Sequence, residues 1–152
     1  MKKLNPFYIT GFTEGEGSFY VGILPRKMNT GWEVRPSFSL SQNEKDKLLV
    51  SSLIDFFECG SVRYSKNDQT FKYEVRSLKE LQNKIIPHFE KYPLQGRKQN
   101  DFIAFKKAVE IMSKNKHLKN EGLKEIIFLA LSMTKNSRRI KNLRNTLTFL
   151  KV

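Results

Sequence analysis

Residues 9–17 read Ile9-Thr10-Gly11-Phe12-Thr13-Glu14-Gly15-Glu16-Gly17, and each oddity in that run constrains the structure around it. Asn5-Pro6 precedes it as N-cap and first helical residue, so a short helix opens the chain and runs to the Gly15-Glu16-Gly17 stop. Gly11 and Gly15 stand four residues apart, on one helix face. Inside a helix Gly11 costs about 0.8–1.0 kcal/mol relative to alanine, a cost that a close helix–helix contact would offset. Glu14 and Glu16 fall at the C-terminal end, where the helix macrodipole disfavours negative charge, so a positive partner is expected there. A divalent cation would satisfy both oddities. Two neighbouring glutamates are, however, most often plain surface charge, and the pair gains meaning only from the rest of the chain.

Outward from the motif, Ser18 to Leu24 is rich in strand formers, and Trp32 to Ser41 alternates apolar and polar residues across a basic loop, a hairpin pattern. Glu44 to Phe57 carries Leu48, Leu49, Leu53, Ile54, Phe56 and Phe57 at helical spacing before Gly60. A second hairpin follows, with strands Ser61 to Ser65 and Thr70 to Arg76. Leu78 to Glu90 reads as one helix, Pro93 and Gly96 break the chain, and Gln99 to Met112 places Phe102, Phe105, Ala108, Val109 and Met112 on one face. Two further helices, Gly122 to Met133 and Ser137 to Leu150, close it. The order is αββαββα with helical additions, an α+β fold whose antiparallel sheet has helices on one face. No linker, low-complexity tract or repeat divides the 152 residues, so one domain over residues 1–152 is expected.

The chain carries 28 Lys and Arg against 15 Asp and Glu, a formal charge of +13. That surplus points to a polyanion, with nucleic acid ahead of an anionic membrane surface because the charge is spread over the chain and not gathered on one amphipathic helix. The single cysteine, Cys59, excludes an internal disulfide, and no Cys/His cluster has zinc spacing. The longest apolar run, Ile126 to Leu131, is far short of the roughly 20 residues that span a bilayer. The Met-Lys-Lys-Leu-Asn-Pro start shows no apolar h-region, so no targeting peptide is expected.

Alternation places Val34, Phe38 and Leu40 on one sheet face with Phe71, Tyr73 and Val75, leaving Glu33, Arg35, Ser37, Ser39, Lys72, Glu74 and Arg76 on the other. Such a polar face suits a DNA major groove, where Arg reads guanine, and equally suits water.

The run ITGFTEGEGSF resembles the signature of the LAGLIDADG homing endonucleases, intron- or intein-encoded site-specific DNA cleavers, and the αββαββα order fits that family over nearly the whole chain. Ser41-Gln42, Lys98-Gln99-Asn100-Asp101-Phe102, and Asn115-Lys116-His117-Leu118 with Glu121-Gly122-Leu123 resemble further stretches of its organellar members. The resemblance implies double-strand cleavage of DNA at a long target, with Glu16 as metal ligand, the Gly15 carbonyl as a second, and Mg2+ as the cofactor, with Mn2+ or Ca2+ able to occupy the site. Here Glu stands where the family name has Asp, and its extra methylene changes the reach. Gln42 matches a group that orients active-site water, and Lys98, or alternatively Arg97, the cation near the scissile phosphate. Tyr20, Leu24, Arg26, Glu33, Arg35, Ser37, Ser39, Arg63, Ser65, Lys72, Glu74 and Arg76 would line the DNA-facing sheet surface.

Only one motif occurs, whereas the family packs two motif helices together, so the resemblance implies a homodimer with Phe7, Thr10, Gly11, Glu14 and Gly15 at the interface and a palindromic or pseudo-palindromic target. An RNA-binding intron maturase, with intron RNA as partner, or a catalytically inactive DNA-binding relative is the second reading. A mitochondrial or chloroplast genome would encode the chain. His88 and His117 are too isolated for a metal site and are read as packing or surface residues; Lys135 to Lys141, with Arg138 and Arg139, could contact phosphates or equally face water.

Overall fold

The computed structural model describes residues 3–150. Helix α1 (Pro6–Glu16) is followed by strands β1 (Gly17–Pro25) and β2 (Trp32–Asn43), a 3-10 turn at Glu44–Asp46, and α2 (Lys47–Phe57). Strands β3 (Ser61–Ser65) and β4 (Thr70–Val75) come next, then α3 (Leu78–Glu80), a π-helical stretch at Leu81–Ile85 and α4 (Ile86–Lys91). Helices α5 (Lys98–Ser113), α6 (Asn120–Ser132) and α7 (Ser137–Phe149) complete the described chain, with a 3-10 turn at Lys116–Leu118 before α6. The strands are ordered β1-β2-β4-β3. The expected α+β order is therefore present, an antiparallel four-stranded sheet with helices.

The chain gathers into two compact units, the described residues up to Phe19 with Ser37–Gln99, and Tyr20–Pro36 with the described residues from Asn100 onward. In the first unit, register sets the faces: Phe38 opposes Val75, Leu40 opposes Tyr73 and Gln42 opposes Phe71, while Ser39 opposes Glu74 and Ser41 opposes Lys72. Val62 opposes Tyr73 and Arg63 opposes Lys72 on the other side of β4. The apolar members meet in an aromatic cluster, with the Phe38 ring 5.2 Å from Phe19, 5.4 Å from Phe89 and 6.1 Å from Phe57. Gly60, at φ +85°, is held to glycine twice over, because a Cβ there would also lie 2.7 Å from the Tyr73 ring. In the second unit Val21, Val34, Phe102, Phe105, Ala108, Leu123, Ile126, Ile127 and Leu143 are buried, as the helical periodicity of α5 and α6 requires.

The helix expected over Leu78 to Glu90 is not uniform. Pro87 has no N–H to donate four residues back, and its ring crowds that carbonyl. The turn before it widens, and the Ile86 N–H donates to Leu81 O, five residues back.

Candidate functional site

Helix α1 presents the motif. The Asn5 side chain accepts from the Phe7 N–H at 2.8 Å and starts the helix, and the Gly17 N–H closes it on Thr13 O. Gly17 has ordinary φ; glycine is required there because a Cβ would stand 2.5 Å from Thr13 Cγ2. The positive partner expected at the helix end is a lysine. Lys98 Nζ donates to the carbonyls of Thr13 (2.9 Å), Glu14 (3.1 Å) and Gly17 (2.6 Å), passing over that of Gly15. An ammonium on those carbonyls offsets the negative end of the macrodipole. Glu14 has a different use from Glu16: its Oε1 accepts from the backbone N–H groups of Gln95 (2.5 Å) and Gly96 (2.9 Å), tying the segment that leads into Lys98 to the end of α1. Glu16 is exposed, and its carboxylate makes no hydrogen bond or ion pair among the described residues.

Of the residues expected at an interface, Phe7 is 70% exposed. A Cβ built on Gly11 or on Gly15 meets nothing within 4 Å, so no neighbour within the described chain calls for glycine at either position. Thr10 is buried, donates to Tyr92 O at 2.8 Å and lies 3.3 Å from His88 Nε2, so its hydroxyl is engaged within the unit. His88, read as packing or surface, packs among Phe56, Phe57, Phe89 and Tyr92, where burial lowers its pKa to about 4. Gln42 is not joined to Glu16 or Lys98 by a hydrogen bond. It shares the sheet side of Leu40 and Phe71, and its Oε1 accepts from the neighbouring Asn43 N–H at 3.2 Å. Arg97 is exposed and makes no hydrogen bond to the helix end among the described residues; Lys98 occupies that place.

On the polar sheet side of the first unit, Arg63, Lys72 and Arg76 converge on one carboxylate. Glu74 lies 3.1, 2.9 and 2.5 Å from them and is 7% exposed, while the three cations keep much of their side chains in solvent. Burial alone would raise the Glu74 carboxyl, but Lys72, Arg76 and Arg63 outweigh it and hold it below the ordinary carboxylate value. Ser39 is nearly buried opposite Glu74, Ser37 is half-buried, and Ser65 donates to Asp68 at 3.0 Å. In the second unit Arg26 and Arg35 reach Glu33 at 2.7 and 3.0 Å, and their hydrogen bonds lower its pKa. Tyr20 and Leu24 are exposed. Each cluster holds more cations than anions, which makes both faces positive, structured and wet.

Sequence reasoning read Arg139 only as part of a basic stretch that contacts phosphates or faces water, and missed its partners. Its guanidinium stacks 4.1 Å over the Tyr20 ring and donates to Val21 O at 2.5 Å. Nothing in the local pattern of α7 marks it apart from its basic neighbours. It missed the Gln95-Gly96 cradle as well; Gly96 was read only as a break, although a Cβ there would sit 2.7 Å from Glu14 Oε2.

With this geometry in view, known proteins are similar along the chain. The family described as LAGLIDADG endonuclease matches residues 9–109. A probable intron-encoded endonuclease 2 of Neurospora crassa is 42% identical over 126 residues, which is 82% of this chain and 28% of that protein. A protein in ND4 intron 1 of Podospora anserina is 36% identical over 121 residues, 78% of this chain and 26% of that one. The chain thus spans about a quarter of the length of these curated relatives. Among solved structures, the homing endonuclease I-TnaI superposes with a TM-score of 0.89 at 35% identity, covering 97% of this chain and 99% of that one. I-SmaMI, bound to uncleaved DNA target in the presence of calcium ions, gives 0.87 at 38% identity, covering 93% of this chain and 49% of that one.

Proposed function

The chain belongs to the LAGLIDADG endonuclease family, and from that premise we propose that it is a site-specific double-strand DNA endonuclease, acting as a homodimer on a palindromic or pseudo-palindromic target with a divalent cation. The observation that carries the proposal is the Glu16 carboxylate, without a partner among the described residues at a helix end whose own charge Lys98 already balances. The donor set suits a hard cation. No three-member cluster of His, Cys, Asp or Glu exists among the described residues, so Glu16, with the Gly15 carbonyl, would complete a site from water and phosphate oxygens, as Mg2+ commonly does.

When bound, Mg2+ supplies a more acidic water and stabilises the departing 3′-oxygen. Glu16 holds the ion's position by its charge. Lys98 fixes the end of α1 and therefore the reach of Glu16, acting as a positioning residue. Glu14 holds the approach to Lys98 through the Gln95 and Gly96 amides. Arg26 and Arg35 in one unit, with Arg63, Lys72 and Arg76 in the other, take phosphates and base edges, and Tyr20, Leu24, Glu33, Ser37, Ser39, Ser65 and Glu74 shape those faces. The homodimer reading is supported by the outward Gly11 and Gly15 and by the match of the chain to about half of I-SmaMI. Both units are taken as parts of one endonuclease module, since the family match runs through both. A mitochondrial intron as the coding origin is supported by the intron names of the relatives.

The test is cleavage of a randomised pseudo-palindromic DNA library in Mg2+, with EDTA and Glu16→Gln as paired controls. Metal-dependent double-strand cuts at an enriched symmetric site, lost in both controls with DNA binding retained, are expected. Cutting retained by Glu16→Gln would overturn the site. Salt-sensitive binding to DNA or structured RNA with no cutting would favour the maturase or inactive-binder reading.

A further inference from the structure

The second unit contains a cleft of about 790 Å³ between the β1–β2 hairpin and α7, a size ordinary for small-ligand sites. Three aromatic rings, Tyr20, Trp32 and Phe149, stand in its mixed apolar and polar lining. Phe149 is 72% exposed among the described residues, an unusual place for a large ring. Arg138 and Asn142 line the same space, and their side chains make no hydrogen bond or ion pair among the described residues. Arg139 is already committed to the Tyr20 ring and Val21 O, so Arg138 is the cation left to a ligand. Among the described residues, no acidic side chain lines the cleft.

From this combination we propose that the cleft binds single-stranded nucleic acid by taking in one unstacked nucleobase. A base presents π-faces to Trp32 and Phe149, and an edge with both donors and acceptors to the Asn142 carboxamide, which itself offers both. The adjoining phosphate meets Arg138. A stacked duplex shows this cleft only its phosphates, which use the cation but leave the rings unmatched. An acidic peptide likewise uses the charge and leaves the carboxamide and rings without partners. The absence of lining carboxylates removes the repulsion that a phosphodiester would otherwise meet. This inference is independent of cleavage, because none of Trp32, Arg138, Asn142 and Phe149 belongs to the helix-end site.

Trp32 is the only tryptophan in the chain, so intrinsic tryptophan emission reports on the cleft wall directly. Oligo-uridylate and oligo-thymidylate of about ten nucleotides, within the usual span of a single-strand site, are titrated against the full chain, alongside a mixed-sequence duplex at the same ionic strength. Saturable quenching by one or both single strands that depends on Phe149 is the expected result, whereas quenching by the duplex, whose proposed face adjoins Trp32, does not depend on Phe149; which strand quenches more identifies RNA or DNA as the preferred source. Phe149→Ala removes an exposed ring, so the fold is retained. It is expected to weaken single-strand binding about fivefold or more, the effect of losing one base-stacking ring, while duplex affinity changes less than about twofold. Arg138→Gln is expected to flatten the salt dependence of single-strand binding. Absence of single-strand quenching in the wild-type chain, unchanged single-strand affinity in Phe149→Ala, or an equal loss of duplex affinity in that variant would overturn the proposal.

Discussion

Replacing Gly11 by alanine separates what α1 needs for itself from what lies outside it. Gly11 is the sixth of the eleven residues of α1, and a methyl group there meets no atom within 4 Å. Inside the chain the substitution only removes backbone freedom from the unfolded state and adds helix propensity, a gain of about 0.8–1.0 kcal/mol. For a chain of this size that raises the melting temperature by about 2–4 °C. Between two closely packed motif helices the same methyl has nowhere to go, and overpacking of about 1–3 kcal/mol weakens association some 5- to 150-fold. The assay is sedimentation velocity over a dilution series, with thermal melts recorded at a concentration where the wild-type chain is monomeric, since association raises apparent stability by mass action. Gly11→Ala is expected to be a more stable monomer and a poorer dimer. A variant that melts lower as a monomer, or that associates with wild-type affinity, would refute the reasoning, because the first outcome requires an internal neighbour and the second removes the external one.

Lys98→Met keeps the aliphatic stem but strips the ammonium from the carbonyls of Thr13, Glu14 and Gly17. Stability should fall by roughly 2–3 kcal/mol, from charged hydrogen bonds and the helix end together, and Lys98→Arg should rescue poorly because a planar fork cannot converge on three carbonyls. Equal urea midpoints for wild type and Lys98→Met would contradict this. His88 binds its proton at about pH 4 in the fold and nearer 6.5 when unfolded, so its contribution is complete above pH 6.5 and is lost as pH falls through 4. The loss amounts to roughly 2–3 kcal/mol after allowance for solvent screening. Denaturant midpoints measured from pH 7 to 4 should fall in the wild-type chain and stay flatter in His88→Leu; identical slopes would sink the assignment.

Much of this architecture was legible in the chain itself. Asn5-Pro6, Gly60 and the strict alternation of β2 and β4 are local signals, and their local consequences followed. Partnerships between residues far apart in sequence left fainter marks. The charge at the end of α1 demanded a cation, but only the path of residues 93–98 makes that cation Lys98 and leaves Glu16 to something else. Helical spacing likewise gives no sign that His88 and Tyr92 lie against the Thr10 hydroxyl. The role of Gln42 rests on resemblance alone; strand parity gives only its side of the sheet, that of Leu40. The widening before Pro87 was hidden because proline forbids one hydrogen bond without stating how the helix will absorb the loss.

Three long cations leaning on one sunken carboxylate have a consequence for how this face would grip anything. Free arginine and lysine side chains sample many rotamers, and an incoming polyanion must freeze them, at up to about 1.5–2 kcal/mol each. Glu74 has already narrowed that motion for Arg63, Lys72 and Arg76, while its single negative charge leaves two positive ones uncancelled. The face is thus a pre-tensioned comb, its teeth set before contact. A strand whose phosphates fall between the teeth gains their charge at little entropic loss, and one out of register must first bend them, so discrimination arises from stiffness as much as from attraction.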